Sequence, residues 1–260
     1  MKLKNRCLLS VLIFSTITSC FAQTELFEKR IYKSGDIVMP YRLHVPENFD
    51  STMRYPLILY FHGAGERGTD NEITLKHGVQ NFVQSEYLEK DPCFIFVPQC
   101  MPEYRWVEVH WSLPSHTRPE QMSIPMCMAV DILDLIIEYY PVDTNRIYVT
   151  GLSMGGFATW DIITRFPDRF AAAVPVCGGG DTALASSIVN VPIWAFHGQL
   201  DKVVLPSRSV DMVDLINKYG GKAKLTMYIS VAHNAWDKAY TNPKMIDWLF
   251  SQTRILKNEE

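Results

Sequence analysis

Short, uninterrupted apolar runs alternate along this chain with longer segments whose apolar residues recur at helical spacing. An apolar run without alternation is typical of a strand buried on both faces of a parallel sheet. The helical spacing indicates amphipathic helices between those strands. The predicted strands are Tyr55–Phe61, Phe94–Pro98 and residues 147–150, 171–176, 191–196 and 225–229, and the predicted helices are residues 126–140, Met154–Arg165, 208–219 and 243–256.

Residues 26–45 contain two strand-like runs joined at Ser34-Gly35-Asp36, which is a hairpin signal. An antiparallel N-terminal hairpin is therefore predicted before the alternating strands and helices. The whole pattern predicts an α/β fold, with a mostly parallel central sheet and helices on both of its faces. The chain has 260 residues, of which 47% are hydrophobic, and this suits one domain with a full core.

The N-terminus has the pattern of a targeting segment. Lys2, Lys4 and Arg6 precede an apolar stretch over residues 8–17, as in a secretory signal peptide. Cleavage after Ala22 would make residues 1–22 the signal peptide and residues 23–260 a single domain of a secreted or periplasmic protein. Residues 17–20 also resemble a bacterial lipobox, and on that alternative Cys20 carries a lipid that anchors the protein to a membrane.

Charge and cysteine spacing exclude several classes of protein. The formal net charge is −3, so the chain lacks the basic surface of a nucleic-acid-binding protein. Four cysteines follow the leader (Cys93, Cys100, Cys127 and Cys177), and their spacing is that of neither a zinc site nor a disulfide-rich scaffold. Export would permit disulfides, and the sequence leaves that question open. Cys177 ends an apolar run, which favours a buried free thiol.

Residues 151–155 read GLSMG and lie between a predicted strand and a predicted helix. This is the G-x-S-x-G nucleophile elbow in the strand–turn–helix context that it requires. The sharp turn holds the serine in a strained conformation, and it demands small neighbours two positions away. Ser153 is therefore the candidate nucleophile.

An acid and a base follow the elbow in the order that a Ser–acid–His triad requires. Asp201 comes after the predicted strand that ends at residue 196, and His233 comes after the last predicted strand. An imidazole can take the hydroxyl proton near neutral pH, and the carboxylate fixes the imidazole tautomer. Asp181, which follows Gly178-Gly179-Gly180, is the main alternative acid. Asp237 is interpreted as a helix-start residue.

The chain has six other histidines, none of which follows the last strand. His62 and His197 each precede a glycine at a strand end and are interpreted as structural loop residues. His44, inside the hairpin, is predicted on the sheet surface. His77, His110 and His116 lie in loops or insertions from which they could reach a substrate.

Backbone N–H groups are predicted to form an oxyanion hole. One belongs to Met154, directly after the nucleophile, and the other to the loop that follows Phe61, at Ala64. The chemistry requires no cofactor, and no cluster of His, Cys and Asp has the spacing of metal ligands.

Residues 55–68 (YPLILYFHGAGERG) and 145–156 (NRIYVTGLSMGG) resemble the secreted esterase branch of the α/β-hydrolases, which includes feruloyl and acetyl-xylan esterases and polyhydroxybutyrate-depolymerase-like proteins. Residues 191–204 and 233–237 match the same group. The resemblance implies an α/β-hydrolase fold and a serine esterase without a cofactor. It maps the nucleophile, acid and base onto Ser153, Asp201 and His233.

The resemblance also implies a small-molecule or polysaccharide ester as substrate, with feruloyl or acetyl esters of plant polysaccharides ahead of lipid or polyester carboxylic esters. The catalytic core is also similar to that of serine peptidases of the prolyl-oligopeptidase kind, but no region of propeller size is present. A non-catalytic binding protein is disfavoured because the serine, the acid and the histidine are all present in order.

Residues 99–125 form an unusually long connection that carries Trp106 and Trp111. Either these rings form an aromatic wall that binds substrate beside the nucleophile, or they are the small core of the loop itself. Residues 66–71 contain Glu66, Arg67, Asp70 and Asn71, which either brace the loop after Phe61 or contact substrate.

Overall fold

The computed structural model describes residues 24–254. The predicted signal peptide and Cys20 lie outside these residues. The chain first forms the predicted hairpin, in which strand β1 (Phe27–Ser34) pairs antiparallel with strand β2 (Ile37–His44). Gly35 takes a φ of 59° in the turn between them, a conformation that costs glycine little.

The eight strands of the described residues belong to one sheet, in the order β1-β2-β4-β3-β5-β6-β7-β8. The hairpin joins the sheet where β2 pairs antiparallel with β4, and all neighbours from β4 onward are parallel. The carboxyl ends of β3 to β8 therefore meet at one edge, where such sheets bind ligands. The remaining strands are β3 (Tyr55–Phe61), β4 (Phe94–Pro98), β5 (Val142–Leu152), β6 (Ala172–Val176), β7 (Trp194–Gly198) and β8 (Lys224–Tyr228).

Within residues 24–254, four α-helices and four 3₁₀ segments connect the strands, and two more α-helices follow β8. The helices are α1 (Ser85–Lys90), α2 (Ile124–Tyr139), α3 (Met154–Arg165), α4 (Ser207–Lys218), α5 (Trp236–Tyr240) and α6 (Pro243–Phe250). The 3₁₀ segments are Ala64–Glu66, Ile73–Leu75, Val79–Val83 and Thr182–Ile188. No helix among residues 24–254 has both the length and the apolar composition needed to cross a bilayer.

The sheet separates two apolar layers. Helices α2, α3 and α4 bury their apolar residues in one layer, whereas α5 and α6 contribute to the other. Strand β3 contributes side chains to both layers. Leu57, Leu59 and Phe61 lie in the first layer, and Ile58 and Tyr60 lie in the second. An uninterrupted apolar run is thus the sequence of a strand with a core on each face. The predicted α/β fold, with helices on both faces, is confirmed.

The predicted strands and long helices are confirmed within three residues, except that β5 begins at Val142, five residues before its predicted start. Two further points of the sequence interpretation are wrong. The last helix ends at Phe250, whereas the sequence predicted residue 256. His44 is only 2% exposed, so its predicted place on the sheet surface is wrong. The ring of Phe27 packs on His44, with centroids 5.7 Å apart, and His44 Nδ1 lies 2.9 Å from the Leu26 carbonyl oxygen, so the segment at the start of β1 covers this side chain.

Candidate active site

Ser153 lies at the junction of β5 and α3, with a φ of 53°. A positive φ is uncommon for a residue with a side chain, and such strain is typical of functional sites. Packing enforces the turn. A Cβ atom on Gly155 would lie 2.0 Å from the Phe61 carbonyl oxygen, and one on Gly151 would lie 2.4 Å from the Gly155 carbonyl oxygen. Only glycine at these two positions allows β3, β5 and α3 to approach so closely.

The structure brings Ser153, His233 and Asp201 together. His233 Nε2 lies 2.8 Å from Ser153 Oγ, and His233 Nδ1 lies 2.7 Å from Asp201 Oδ2. An ionised carboxylate only accepts hydrogen bonds, so Nδ1 carries the imidazole proton and Nε2 accepts the hydroxyl proton of the serine. The three residues follow β5, β7 and β8, at the shared carboxyl edge of the sheet. The arrangement is that of a nucleophile, a base and an orienting acid.

The carboxylate of Asp201 is buried, with no exposed side-chain surface. Burial acts to raise the pKa of Asp201, but hydrogen bonds from His197 and His233 and from the backbone N–H groups of Val204 and Val203 outweigh it and hold the pKa far below its ordinary value. The carboxylate therefore stays ionised across the neutral range. His197, predicted as a structural loop residue, is fully buried, with Nε2 3.2 Å from Asp201 Oδ2.

The alternative acid, Asp181, has a different environment. Its Oδ1 accepts a hydrogen bond from the N–H of Ala183 and its Oδ2 accepts one from the N–H of Arg118. Asp181 thus caps the 3₁₀ segment that follows it and holds one end of the long connection. Among these two carboxylates, only Asp201 reaches His233. Asp237 lies in the first turn of α5, as predicted.

The two backbone groups predicted for an oxyanion hole lie on segments in contact with each other. Met154 is the first residue of α3 and Ala64 begins a 3₁₀ segment, so neither N–H has an acceptor within its own helix. A Cβ atom at Gly155 would lie 2.8 Å from the His62 carbonyl oxygen. The loop that carries Ala64 therefore starts against the first turn of the helix that carries Met154.

His62 fixes this loop to the long connection of residues 99–125. Its Nε2 accepts a hydrogen bond from the N–H of Cys100 at 2.9 Å, and its carbonyl oxygen accepts one from Trp106 Nε1 at 3.1 Å. Burial lowers the pKa of His62 to about 4, so the ring is neutral at pH 7 and keeps the Nε2 lone pair for Cys100. The predicted structural role of His62 corresponds to these contacts.

The predicted substrate wall is wrong for Trp106. Its side chain is fully buried and packs on the rings of Phe61 and His62, with centroids 4.9 and 5.2 Å away. Ser123 at the end of the connection donates a hydrogen bond to the Trp106 carbonyl oxygen. Trp106 is thus the core of the loop, which was the alternative interpretation. Trp111 is partly buried beneath the Arg105 guanidinium, 4.8 Å from its ring centroid.

Arginines from other segments hold the long connection in place. Arg67 donates to the carbonyl oxygen of Pro102 at 3.1 Å, Arg208 to that of Leu113 at 2.8 Å, and Arg165 to that of Pro119 at 2.7 Å. These are charge-assisted bonds, which are stronger than bonds between neutral groups. These three bonds therefore tie the connection to the rest of the domain.

Contacts of residues 66–71 agree with a brace for the loop after Phe61. The N–H of Asn71 donates to Gln99 Oε1 at 2.7 Å, and Gln99 Nε2 donates to Asp70 Oδ1 at 3.0 Å. Arg67 Nε donates to the Ala64 carbonyl oxygen at 3.0 Å. Glu66 is 5% exposed, and its Oε1 lies 3.5 Å from His77 Nε2.

Replacing Trp106 should test this structural role. Trp106→Ala should lower the free energy of unfolding by about 3–5 kcal/mol, because it removes a large buried ring. Trp106→Phe keeps most of the packing and loses the bond to His62, so it should cost about 1 kcal/mol. Urea unfolding measures both values. A variant of unchanged stability that lost activity only on aromatic esters would contradict this placement and restore the substrate wall.

The donor atoms of Cys177, Asp201 and His233 lie within 4.8 Å of one another, and within residues 24–254 no other group of three could hold a metal ion. A metal there would replace the hydrogen bond between His233 and Asp201. All four described cysteines are free thiols. Cys177 is fully buried, as predicted, and burial raises the pKa of its thiol well above the ordinary value.

The sequence analysis missed Trp236 as a neighbour of the base. Its ring centroid lies 5.3 Å from that of His233, at an interplanar angle of 89°. The available signal was its place three residues after the candidate base, where a helix begins. Among the three loop histidines, His77 packs on Trp236, His116 contacts the guanidinium of Arg208, and His110 is exposed.

Two buried histidines, His44 and His62, and the partly buried His116 predict a loss of stability in mild acid. Burial lowers the pKa of His62 and of His116 to about 4 and also lowers that of His44. In the unfolded chain these rings titrate near 6.5. Between pH 6.5 and 4 the unfolded state therefore binds more protons, so the free energy of unfolding falls as the pH falls.

For His62 alone the loss should be on the order of 3 kcal/mol. Melting temperatures measured from pH 7.5 to pH 4.5 check this. His62→Gln can still accept the Cys100 bond but does not titrate, so its curve should be flatter than that of the wild type. Parallel curves for the two proteins would contradict the assignment.

The chain is similar to known hydrolases in sequence and in structure. The model of the dienelactone hydrolase family matches residues 121–244, a range that begins before α2 and contains all three site residues. A crystal structure of a thermostable esterase superimposes with a TM-score of 0.83 and 36% sequence identity, over 90% of this chain and 64% of that chain.

The chain has the α/β-hydrolase fold.

Two curated relatives match the chain over shorter stretches. A bifunctional acetylxylan esterase/xylanase of Neocallimastix patriciarum is 33% identical over 28% of this chain and 11% of its own length. The poly(3-hydroxyalkanoate) depolymerase C of Paucimonas lemoignei is 48% identical over 32% of this chain and 27% of its own length. The chain thus spans 64% of the solved esterase and about a quarter or less of these two relatives.

Proposed function

We propose that the protein is a serine carboxylic ester hydrolase in which Ser153 is the nucleophile, His233 the base and Asp201 the orienting acid. The observation that carries the proposal is the continuous hydrogen-bond chain from Ser153 Oγ through the His233 ring to Asp201, at 2.8 and 2.7 Å. The strained backbone of Ser153 at the head of α3 supports it, because such turns present a nucleophile.

The reaction runs in two halves. Ser153 Oγ bonds to the ester carbonyl carbon while its proton passes to His233 Nε2. The carbonyl oxygen becomes an oxyanion, which accepts hydrogen bonds from the N–H groups of Met154 and Ala64. The bond to the leaving oxygen then breaks, the alcohol takes the proton from His233, and the acyl group stays on Ser153.

Water completes the cycle on the acyl-enzyme. His233 takes a proton from the water, whose oxygen attacks the acyl carbon, and it returns that proton to Ser153 Oγ as the acid leaves. Throughout, the ionised carboxylate of Asp201 stabilises the imidazolium and keeps Nε2 toward the serine. These reaction steps need neither a metal nor an organic cofactor.

For the substrate we propose an acyl ester of a plant polysaccharide, acetyl or feruloyl. The acetylxylan esterase relative supports this choice. Polyester is the second candidate, favoured by the depolymerase relative and by Leu200 and Val203, which flank Asp201 and are 57% and 51% exposed. Apolar side chains beside the site suit an apolar polymer surface.

We also propose secretion, with residues 1–22 as the signal peptide and residues 23–260 as one catalytic domain. The polymer substrates in the names of the two relatives support an extracellular enzyme. Lipidation at Cys20 is the alternative that would place the domain on a membrane. The mass of the mature N-terminal peptide distinguishes cleavage after Ala22 from a lipid on Cys20.

Fluorophosphonate labelling tests the proposed chemistry directly. An active triad reacts at its serine, so the wild-type protein should label at Ser153 and the Ser153→Ala variant should not. A panel of p-nitrophenyl acetate, methyl ferulate, acetylated xylan and a polyhydroxyalkanoate film then ranks the substrates. Absence of labelling in folded wild-type protein would reject a serine esterase, and a preference for the film would reject the polysaccharide ester.

A further inference from the structure

Trp236 occupies the space between the proposed base and the loop after β3. Its ring meets that of His233 edge to face, with centroids 5.3 Å apart at 89°. On its other side it meets the ring of His77, with centroids 5.5 Å apart and a tilt of 50°. The indole is partly exposed. An aromatic surface thus continues from His233 across Trp236 to His77.

A polar pair borders this aromatic surface. His77 Nε2 lies 3.5 Å from Glu66 Oε1. The Glu66 side chain is 6% exposed, whereas that of His77 is 27% exposed. The carboxylate of Glu66 therefore lies behind the imidazole of His77, and the imidazole is the polar group of the pair that a bound molecule can reach.

The direction of proton transfer tells which part of a substrate would lie here. His233 must deliver its proton to the oxygen of the leaving alcohol. That oxygen must therefore lie within hydrogen-bond reach of Nε2, and the rest of the alcohol extends past the residues that surround the His233 ring. Trp236 is the aromatic residue packed on that ring, so it borders the alcohol side of the site.

We propose that Trp236 and His77 form the subsite for the leaving alcohol and that this alcohol is a sugar. The proposal rests on the proposed esterase function. The apolar face of a pyranose ring stacks on an indole, and its hydroxyl groups bond to a polar neighbour such as His77. A plain alkyl alcohol would cover the imidazole of His77 without giving it a hydrogen bond, which costs free energy.

The tryptophans of residues 99–125 do not form the aromatic surface beside His233. Trp106 is buried beneath the loop and Trp111 is covered by Arg105. The aromatic surface beside the base comes instead from Trp236, on the first turn of α5. The same short helix carries Tyr240, which is fully buried and fixes the position of the indole relative to the sheet.

The test compares two esters that share the acetyl group and differ in the alcohol: acetylated xylo-oligosaccharide and ethyl acetate. Trp236→Ala should lower kcat/KM for the sugar ester by at least about tenfold more than for ethyl acetate, mainly through KM. Trp236→Phe retains an aromatic face and should keep most of the preference. His77→Ala should also reduce the ratio of kcat/KM for the sugar ester to kcat/KM for ethyl acetate.

Trp248→Ala is the matched control. Trp248 is also a partly buried tryptophan, but it packs on Trp194 at the far end of β7, so its loss should leave the ratio unchanged. Equal losses on the two esters, or a ratio that Trp236→Ala does not change, would overturn the subsite. Should Trp236→Ala fail to fold, Trp236→Leu against Trp236→Phe decides by the same ratio.

Fluorophosphonate labelling separates this proposal from the proposed function. A wild-type protein that does not label at Ser153 overturns the esterase and the subsite together. Normal labelling of wild type and of Trp236→Ala, with no change in the ratio of the two esters, overturns the sugar subsite alone.

Discussion

Replacing Ser153 by alanine should reduce kcat for p-nitrophenyl acetate by about a millionfold, because the members of a serine triad act as one unit. The variant keeps the fold, since alanine is smaller than serine and removes only the Oγ atom. What remains is the stabilisation of the oxyanion by backbone N–H groups. Stopped assays over long incubation, with protein purified to exclude host esterases, measure the residual rate.

Ser187→Ala is a suitable control for Ser153→Ala. Ser187 is exposed on a 3₁₀ segment and its Oγ donates only to the Leu184 carbonyl oxygen. Its loss should leave kcat within about twofold of wild type, as for surface substitutions in general. A Ser153→Ala variant that retains more than about a tenth of the wild-type kcat would show that the nucleophile lies elsewhere.

Replacing Asp201 by asparagine should lower kcat by roughly 10⁴-fold while the protein stays folded, by analogy with the same change in a serine protease. Asparagine Oδ1 can still accept hydrogen bonds from the N–H groups of Val203 and Val204. Its amide, however, donates toward His233 Nδ1 and favours the tautomer with the proton on Nε2. That tautomer cannot take the proton of Ser153.

The matched control is Asp181→Asn. Asp181 accepts hydrogen bonds from the N–H groups of Ala183 and Arg118 and does not contact the base. This change should affect stability more than chemistry, with kcat within about tenfold of wild type. Steady-state kcat and melting temperature of both variants decide the question. If Asp181→Asn lost the greater part of kcat, the roles of the two carboxylates would have to be exchanged.

The local signals in the sequence were strong wherever a structural requirement is itself local. The apolar run Tyr55–Phe61 became a strand with those bounds, because a segment buried on both faces needs apolar residues at every position. The GLSMG segment places Ser153 at a positive φ, because the turn needs glycines where β3 and α3 touch. Short elements such as α5 have too few residues for periodicity to detect.

Trp106 and Trp236 show the opposite case. Both lie in segments outside the predicted strands and helices, and residue type alone does not distinguish a buried ring from a substrate platform. The Arg105 and Arg208 contacts and the bond to His62 fix the long connection as a packed unit. Trp236 meets His233 only because α5 folds back across the carboxyl edge of the sheet.

The sequence by itself determined the fold class, the elbow and the chain order of Ser153, Asp201 and His233, since each depends on residue types at fixed spacing. Only the tertiary structure decided which carboxylate reaches the histidine, which tryptophan is core and which ring borders the base. Asp201 and Asp181 both follow parallel strands and look equivalent along the chain. They differ in their partners: Asp181 contacts Arg118, 63 residues away, and Asp201 contacts His233, 32 residues away. These contacts form only when the sheet is assembled.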